Sequence, residues 1–268
     1  MKRLNWFYLG CTLGCLWLGV DDCSGDEFGL PQFSETSTFA APQAHQAAAA
    51  DRKFIYAITN KVVAKYSRKT RLQLALSVGD AQHLNSGYIY RGSLLCAHSN
   101  YPQIPEQSQI KVLDPKSMQL TTFHDFGDYG GSLTWVVRAG NSWLCNFAKY
   151  DKTNGETFLA EFDLNWTETR RWTYPQELIA QLGKYSLSGG LFHQQNLLVS
   201  GHDAQEIYYL RIPQSGTVLK YVGKTPVPFT GQGFAVDPLG GLVGISRAEH
   251  RVIFLNVVPR RLDRKLGR

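Results

Sequence analysis

One two-strand phrase recurs five times along this chain at a nearly constant spacing. Each copy begins with an apolar strand that ends in small polar residues: Phe54 to Asn60, Leu94 to His98, Trp143 to Phe147, Leu197 to His202 and Gly241 to Ser246. Each is followed by a loop and a second strand. Those second strands end near Tyr66, Leu113, Phe162, Leu210 and Leu255, which are 47, 49, 48 and 45 residues apart. Repeats in the forties that hold about four strands each are propeller blades, because one such unit cannot bury its faces alone and must stack on neighbours.

The rest of each unit fits this reading. An inner strand precedes each phrase: 46–51, 85–90, 132–137, 188–192 and 232–237, each with Ala, Gly or Ser, as a crowded central axis requires. An outer strand follows the first four phrases, at 72–78, 119–126, 169–174 and 218–224, but the fifth runs straight into Pro259 and a basic tail. The missing strand is supplied from the other end. Thr36-Ser37-Thr38-Phe39, just ahead of the first inner strand, matches Thr121-Thr122-Phe123 in position and composition. The prediction is an all-β, single five-bladed propeller over 36–258 whose last blade is closed by this N-terminal strand, hiding a sheet edge. Helical periodicity is confined to the stretch from Pro175 to Gly183.

The N-terminal segment reads as an export signal, with Lys2 and Arg3 before an apolar run from Leu4 to Val20. Residues 1–23 are therefore an export signal that is cleaved or lipidated, or else a retained membrane anchor, with 24–35 as linker. The protein is expected to work in the periplasm or outside the cell, touching membrane only through this segment. Of five cysteines, Cys11 and Cys15 lie in the leader and Cys23 just beyond it. Cys96 and Cys145 fall at equivalent places in neighbouring repeats, on parallel strands of different blades, and are expected as buried free thiols.

A net charge of +6 does not imply nucleic-acid binding. Lys2 and Arg3 carry +2 and the tail 259–268 carries +4, so residues 21–258 sum to zero and lack an electrostatic footprint for nucleic acid.

In a propeller, loops entering the inner strands and loops leaving the following strands share one face around the axis, where ligand sites gather. Here those loops carry His83, Asn85, His98, Asn100, Asn146, Lys149, Ser188, His202, Asp203, Gln232 and Arg247. Imidazoles suit either of two roles: His83, His98 and His202 as ligands of one divalent metal ion, or one of them as general base beside Asp203. Each of these polar side chains also has a plainer use, bonding the backbone of the next blade. Gly130-Gly131 and Gly189-Gly190 open no helix and so make no phosphate loop, and Ser188 lacks the strand-to-helix elbow of an acyl-transfer serine.

The set His83-Leu84-Asn85-Ser86-Gly87, Ala97 to Pro102, Gly131 to Trp135, Ser188-Gly189-Gly190, Gly201-His202-Asp203 and Gly244 to Arg247 resembles a family of small bacterial exported propeller proteins. Those proteins are labelled cycloisomerase-like, or grouped loosely with gluconolactonase-type proteins. The resemblance runs from about Gln46 to Val258 and implies a propeller with a shared polar face. One departure concerns blade three, where Phe147-Ala148-Lys149-Tyr150 stands in place of the family's Phe-Ala-His-Tyr. A lysine there disfavours a four-histidine metal site and suits an anion. Two functions follow as expectations. One is an enzyme of lactonase or cyclase type acting on a small organic anion, with His83, His98, His202 and Asp203 as its chemistry, Lys149 and Arg247 holding a carboxylate, and Asn85, Asn100, Asn146, Ser188 and Gln232 completing the site. The other is a non-catalytic monomeric propeller that binds a ligand or protein with the same face.

Overall fold

A computed structural model describes residues 29–193 and 196–258. The segment read as an export signal, Cys11, Cys15 and Cys23, and the basic tail lie outside the described residues, as do Gln194 and Gln195.

The inner strands of each unit are buried on both faces, the outer ones are partly exposed, and turns rich in Gly, Asp and Asn divide them into five antiparallel four-stranded sheets. Strand β1 (Phe33–Ala40) comes first. Blade one follows as β2 (Ala47–Ala50), β3 (Phe54–Ile58), β4 (Val63–Ser67) and β5 (Gln73–Leu76). Blade two is β6 (His83–Tyr90), β7 (Ser93–Ser99), β8 (Ser108–Leu113) and β9 (Leu120–Gly127). Blade three is β10 (Ser132–Ala139), β11 (Ser142–Ala148), β12 (Phe158–Phe162) and β13 (Glu168–Thr173), followed by helix α1 (Gln176–Leu182). Blade four is β14 (Gly189–His193), β15 (Asn196–Ser200), β16 (Glu206–Arg211) and β17 (Lys220–Pro226). Blade five contributes β18 (Ala235–Val236), β19 (Leu242–Ser246) and β20 (Arg251–Val257).

The fourth strand of blade five is β1. It pairs antiparallel with β20, from Phe33 opposite Val257 to Ala40 opposite Arg251. Thr36 and Thr38 turn their hydroxyls onto the carbonyls of Phe254 and Val252, adding side-chain bonds to the ladder. This strand starts at Phe33, three residues earlier than the Thr36 boundary read from the repeat.

The core lies between blades rather than within one. On β7, Leu94 and Cys96 face blade one while Leu95 and Ala97 face blade three, the two-sided burial expected of a stacked sheet. Cys96 and Cys145 are buried free thiols, and burial pushes the Cys96 thiol up to about 12. Trp135, Trp143 and Trp172 are buried in these seams, and Trp166 stacks on Trp143 at 5.2 Å between ring centres.

The axis itself is filled by backbone. A Cβ on Gly233 would come within 2.6 Å of Ala47 and 2.7 Å of Ser86, and one on Gly189 within 2.6 Å of the Gln232 carbonyl. Inner strands of blades one, two, four and five thus meet at the centre. The loop face, here the bowl, is thus floored at the axis by packed strand ends.

Candidate functional site

The walls of this bowl come from the loops after β11, β15 and β19 and from those before β2, β6 and β14. Its centre is a short chain of contacts between blades four and five. His202 lies in the turn after β15, where its Nδ1 sits 2.7 Å from Asp203 Oδ1. Its Nε2 lies 2.9 Å from Arg247 Nη1, which arrives from the hairpin between β19 and β20. The backbone N–H of Arg247 donates to Thr230 Oγ1 at 3.2 Å, anchoring that hairpin end.

A guanidinium can only donate, so the lone pair of His202 Nε2 must point at Arg247 and the ring proton must be on Nδ1, donated to Asp203. His202 is thereby fixed as one neutral tautomer. Burial lowers its pKa; Asp203 opposes this, and Arg247 and Lys184 reinforce it. Tyr185 stacks on the ring at 3.9 Å with planes 10° apart, and Gln232 Nε2 donates to the His202 carbonyl at 2.8 Å.

Two more imidazoles feel the charge of the same guanidinium. His83, at the start of β6, is held below its ordinary pKa by burial, then by Arg247 and His202. His45, between β1 and β2, is lowered by burial, then by Arg247 and His250. All three rings are half-buried and neutral near pH 7. Arg247 is the fixed charge they share, and among the described residues it has no carboxylate partner.

Aromatic rings extend the wall on the side of blades two and three. Tyr101 meets His83 edge-on at 5.3 Å and Tyr150 at 4.9 Å. Beside Tyr150 a shallow depression of about 630 Å³ is lined by Asp151, Lys152, Thr153 and Lys184.

Other expected site residues serve the scaffold. His98 is buried, 7% exposed, and its Nε2 accepts the Gln82 backbone N–H at 2.9 Å, so its ring is turned under the loop before β6. Its Nδ1 is buried with no partner among the described residues. Burial, then Lys111 and His83, pushes its pKa down to about 4. Asn85 Nδ2 donates to the Leu133 carbonyl of blade three; Asn146 joins Thr134 to the Tyr174 hydroxyl within blade three and reaches the Leu187 carbonyl, ahead of β14, at 3.4 Å. Asn100 pins its own loop through Pro105 and Gln107. Ser188 contributes its backbone N–H to the Ser200 carbonyl at 3.0 Å.

Lys149 differs from the expectation of a carboxylate holder. Its Nζ is 2.9 Å from Glu106 Oε1, so its charge is already compensated, and Lys149 in turn holds the Glu106 carboxyl below the usual range. Glu106 comes from the β7–β8 loop of the preceding blade.

The imidazoles do not fit a metal ion. Both nitrogens of His202 are engaged, His98 Nε2 accepts a backbone bond, and the guanidinium charge of Arg247 beside His202 would repel a cation. Among the described residues, no three His, Cys, Asp or Glu side chains converge as a ligand set.

His45, Tyr185 and Glu106 were not anticipated. The first two do lie in loops that enter inner strands, so the repeat register alone was a usable signal for them.

No protein-family model and no curated protein sequence matches the chain. Solved structures do. Glutaminyl cyclase of Myxococcus xanthus is 10% identical, with a TM-score of 0.57 over 85% of this chain and 98% of that one. The β-propeller domain of Cps50 (Swd1) from Myceliophteria thermophila is 9% identical, with a TM-score of 0.46 over 84% of this chain and 100% of that one. The first of these likenesses shows a shared propeller fold and no more, and the cycloisomerase-like label rests on the loop motifs alone.

Proposed function

We propose that this protein binds a small organic anion in the bowl around Arg247. One observation carries the reading: a half-buried guanidinium without a carboxylate partner among the described residues is bonded to one neutral imidazole, His202, and its charge lowers the pKa of two more, His83 and His45. A charge held part-way out of water without a counter-ion is a ready partner for a planar anion, and arginine offers a carboxylate a bidentate fork. The Tyr101, Tyr150 and Tyr185 rings supply apolar wall for the rest of such a molecule.

Calorimetric titration with acetate, lactate, gluconate and benzoate tests this. Saturable binding that Arg247→Gln abolishes, with the circular dichroism spectrum unchanged, is the expected result. Equal binding by that variant, or none by the wild type, counts against it.

A second, catalytic reading is favoured by the Asp203–His202 contact, the arrangement in which a carboxylate orients an imidazole as general base. Proton abstraction by Nε2 suits ring opening or ring closure of a small lactone or amide. A propeller of the same fold is named a glutaminyl cyclase. Turnover on a panel of lactones and glutaminyl peptides, lost in His202→Ala, would establish it. Under either reading Lys2, Arg3 and the apolar run behind them point to an exported protein, checked by the N-terminus of the secreted form.

A further inference from the structure

Protonation of His202 and its contact with Arg247 exclude one another. If Nε2 took a proton, two N–H donors would meet at the 2.9 Å now spanned by one hydrogen bond. A carboxylate removes the conflict, because its two oxygens can accept from Arg247 and from Nε2–H together while Nδ1–H stays on Asp203. The bowl therefore has two states: an empty one with neutral His202 bonded to Arg247, and a filled one with the anion between them.

Resting on the anion-binding reading above, we infer that a carboxylate enters this site together with one proton, which His202 Nε2 accepts. The balance is simple: one carboxylate and one solvent proton go in, no covalent bond breaks, and the net charge of the complex equals that of the empty protein.

The charged and titratable groups around the ring agree with this. Asp203, on its own turn, favours the imidazolium. Arg247 from blade five and Lys184 from the segment before β14 oppose it, and burial opposes it most. His83 from blade two is neutral and Tyr185 covers one ring face. In the empty site the opposing groups win. A bound carboxylate offsets Arg247 and adds a negative charge beside Nε2, so the balance reverses.

The test is calorimetric titration of the wild-type protein with lactate and with benzoate from pH 6 to 8, in bis-tris and in tris, cationic buffers of different ionisation enthalpy. Proton uptake approaching one per ligand is expected, read from the buffer dependence of the heat. The Kd should rise up to about tenfold per pH unit as pH increases. His202→Gln should still bind, more weakly, with a flat pH profile. Binding without proton uptake, or a pH dependence that survives His202→Gln, overturns the inference while leaving the anion site standing. No binding by any carboxylate overturns the anion site and the inference with it.

Discussion

Arg68, in the turn after β4, grips Asp237 of blade five through two parallel hydrogen bonds, Nη2 to Oδ1 at 2.7 Å and Nη1 to Oδ2 at 3.1 Å. The pair spans the seam where the first and last blades meet, on the face opposite the bowl. Its side chains are 12% and 7% exposed, and Arg68 Nε also bonds the Asp51 carbonyl at 2.9 Å. Removing one member of a buried pair strands the other, which costs about 3 kcal/mol or more. Arg68→Met should thus lower the thermal midpoint by roughly 6–12 °C, measured by calorimetry, with carboxylate binding at Arg247 intact.

Ring closure by β1 gives a second prediction. Deleting residues 30–41 removes the whole β1–β20 ladder, two threonine side-chain bonds and the Phe39 ring that packs on Tyr66. It also exposes β20 as a sheet edge. A fall in the thermal midpoint of about 10 °C or more, with concentration-dependent aggregation, is expected. An unchanged melting curve would show that the strand is dispensable.

Packing near the axis is tight enough to predict a sign for a single methyl group. A Cβ at Gly190 would lie 2.5 Å from the indole of Trp135, which is fully buried and whose Nε1 has no partner among the described residues. Gly190→Ala should cost roughly 1–3 kcal/mol by overpacking. In a Trp135→Phe background the smaller ring gives way, so the same substitution should cost less. Urea unfolding of the four proteins measures the coupling.

Stability should also fall with acid before the carboxylates titrate. An unfolded imidazole binds its proton near pH 6.5, while folded His98 resists until about 4. A depressed folded pKa means the contribution is complete above about pH 6.5, declines as pH drops and is lost below about 4. Within that window the slope is up to about 1.4 kcal/mol per pH unit. His45, His83 and His202 are shifted in the same direction and add to it. Urea midpoints between pH 7.5 and 4.5 should show this loss, and His98→Gln should flatten part of it.

The His98 example shows how far loop residues could be read in advance. Its position at the end of β7 follows from the repeat, yet the backbone N–H of Gln82 turns it under the rim rather than into the bowl. Lys149 was equally visible as a rim cation. What cancels it is Glu106, 43 residues earlier and in a different blade. Asn85 and Asn146 are polar rim residues by position, yet their amides reach the carbonyls of Leu133 and Leu187 in the next blade's segment.

What the sequence alone determined is the ring: five units, their strand order, the closing strand and the buried thiols. Those features depend on short apolar strand phrases that recur at a spacing near 47 residues, a pattern written along the chain itself. What only the tertiary structure decided is which loop ends meet. His202 and Arg247 are 45 residues apart and belong to different blades, and His45 and His83 come from two more. A repeat places each at the rim, but hydrogen-bond direction and charge compensation arise only between blades. Those interblade contacts hold His202 as one neutral tautomer and leave Arg247 without a carboxylate among the described residues.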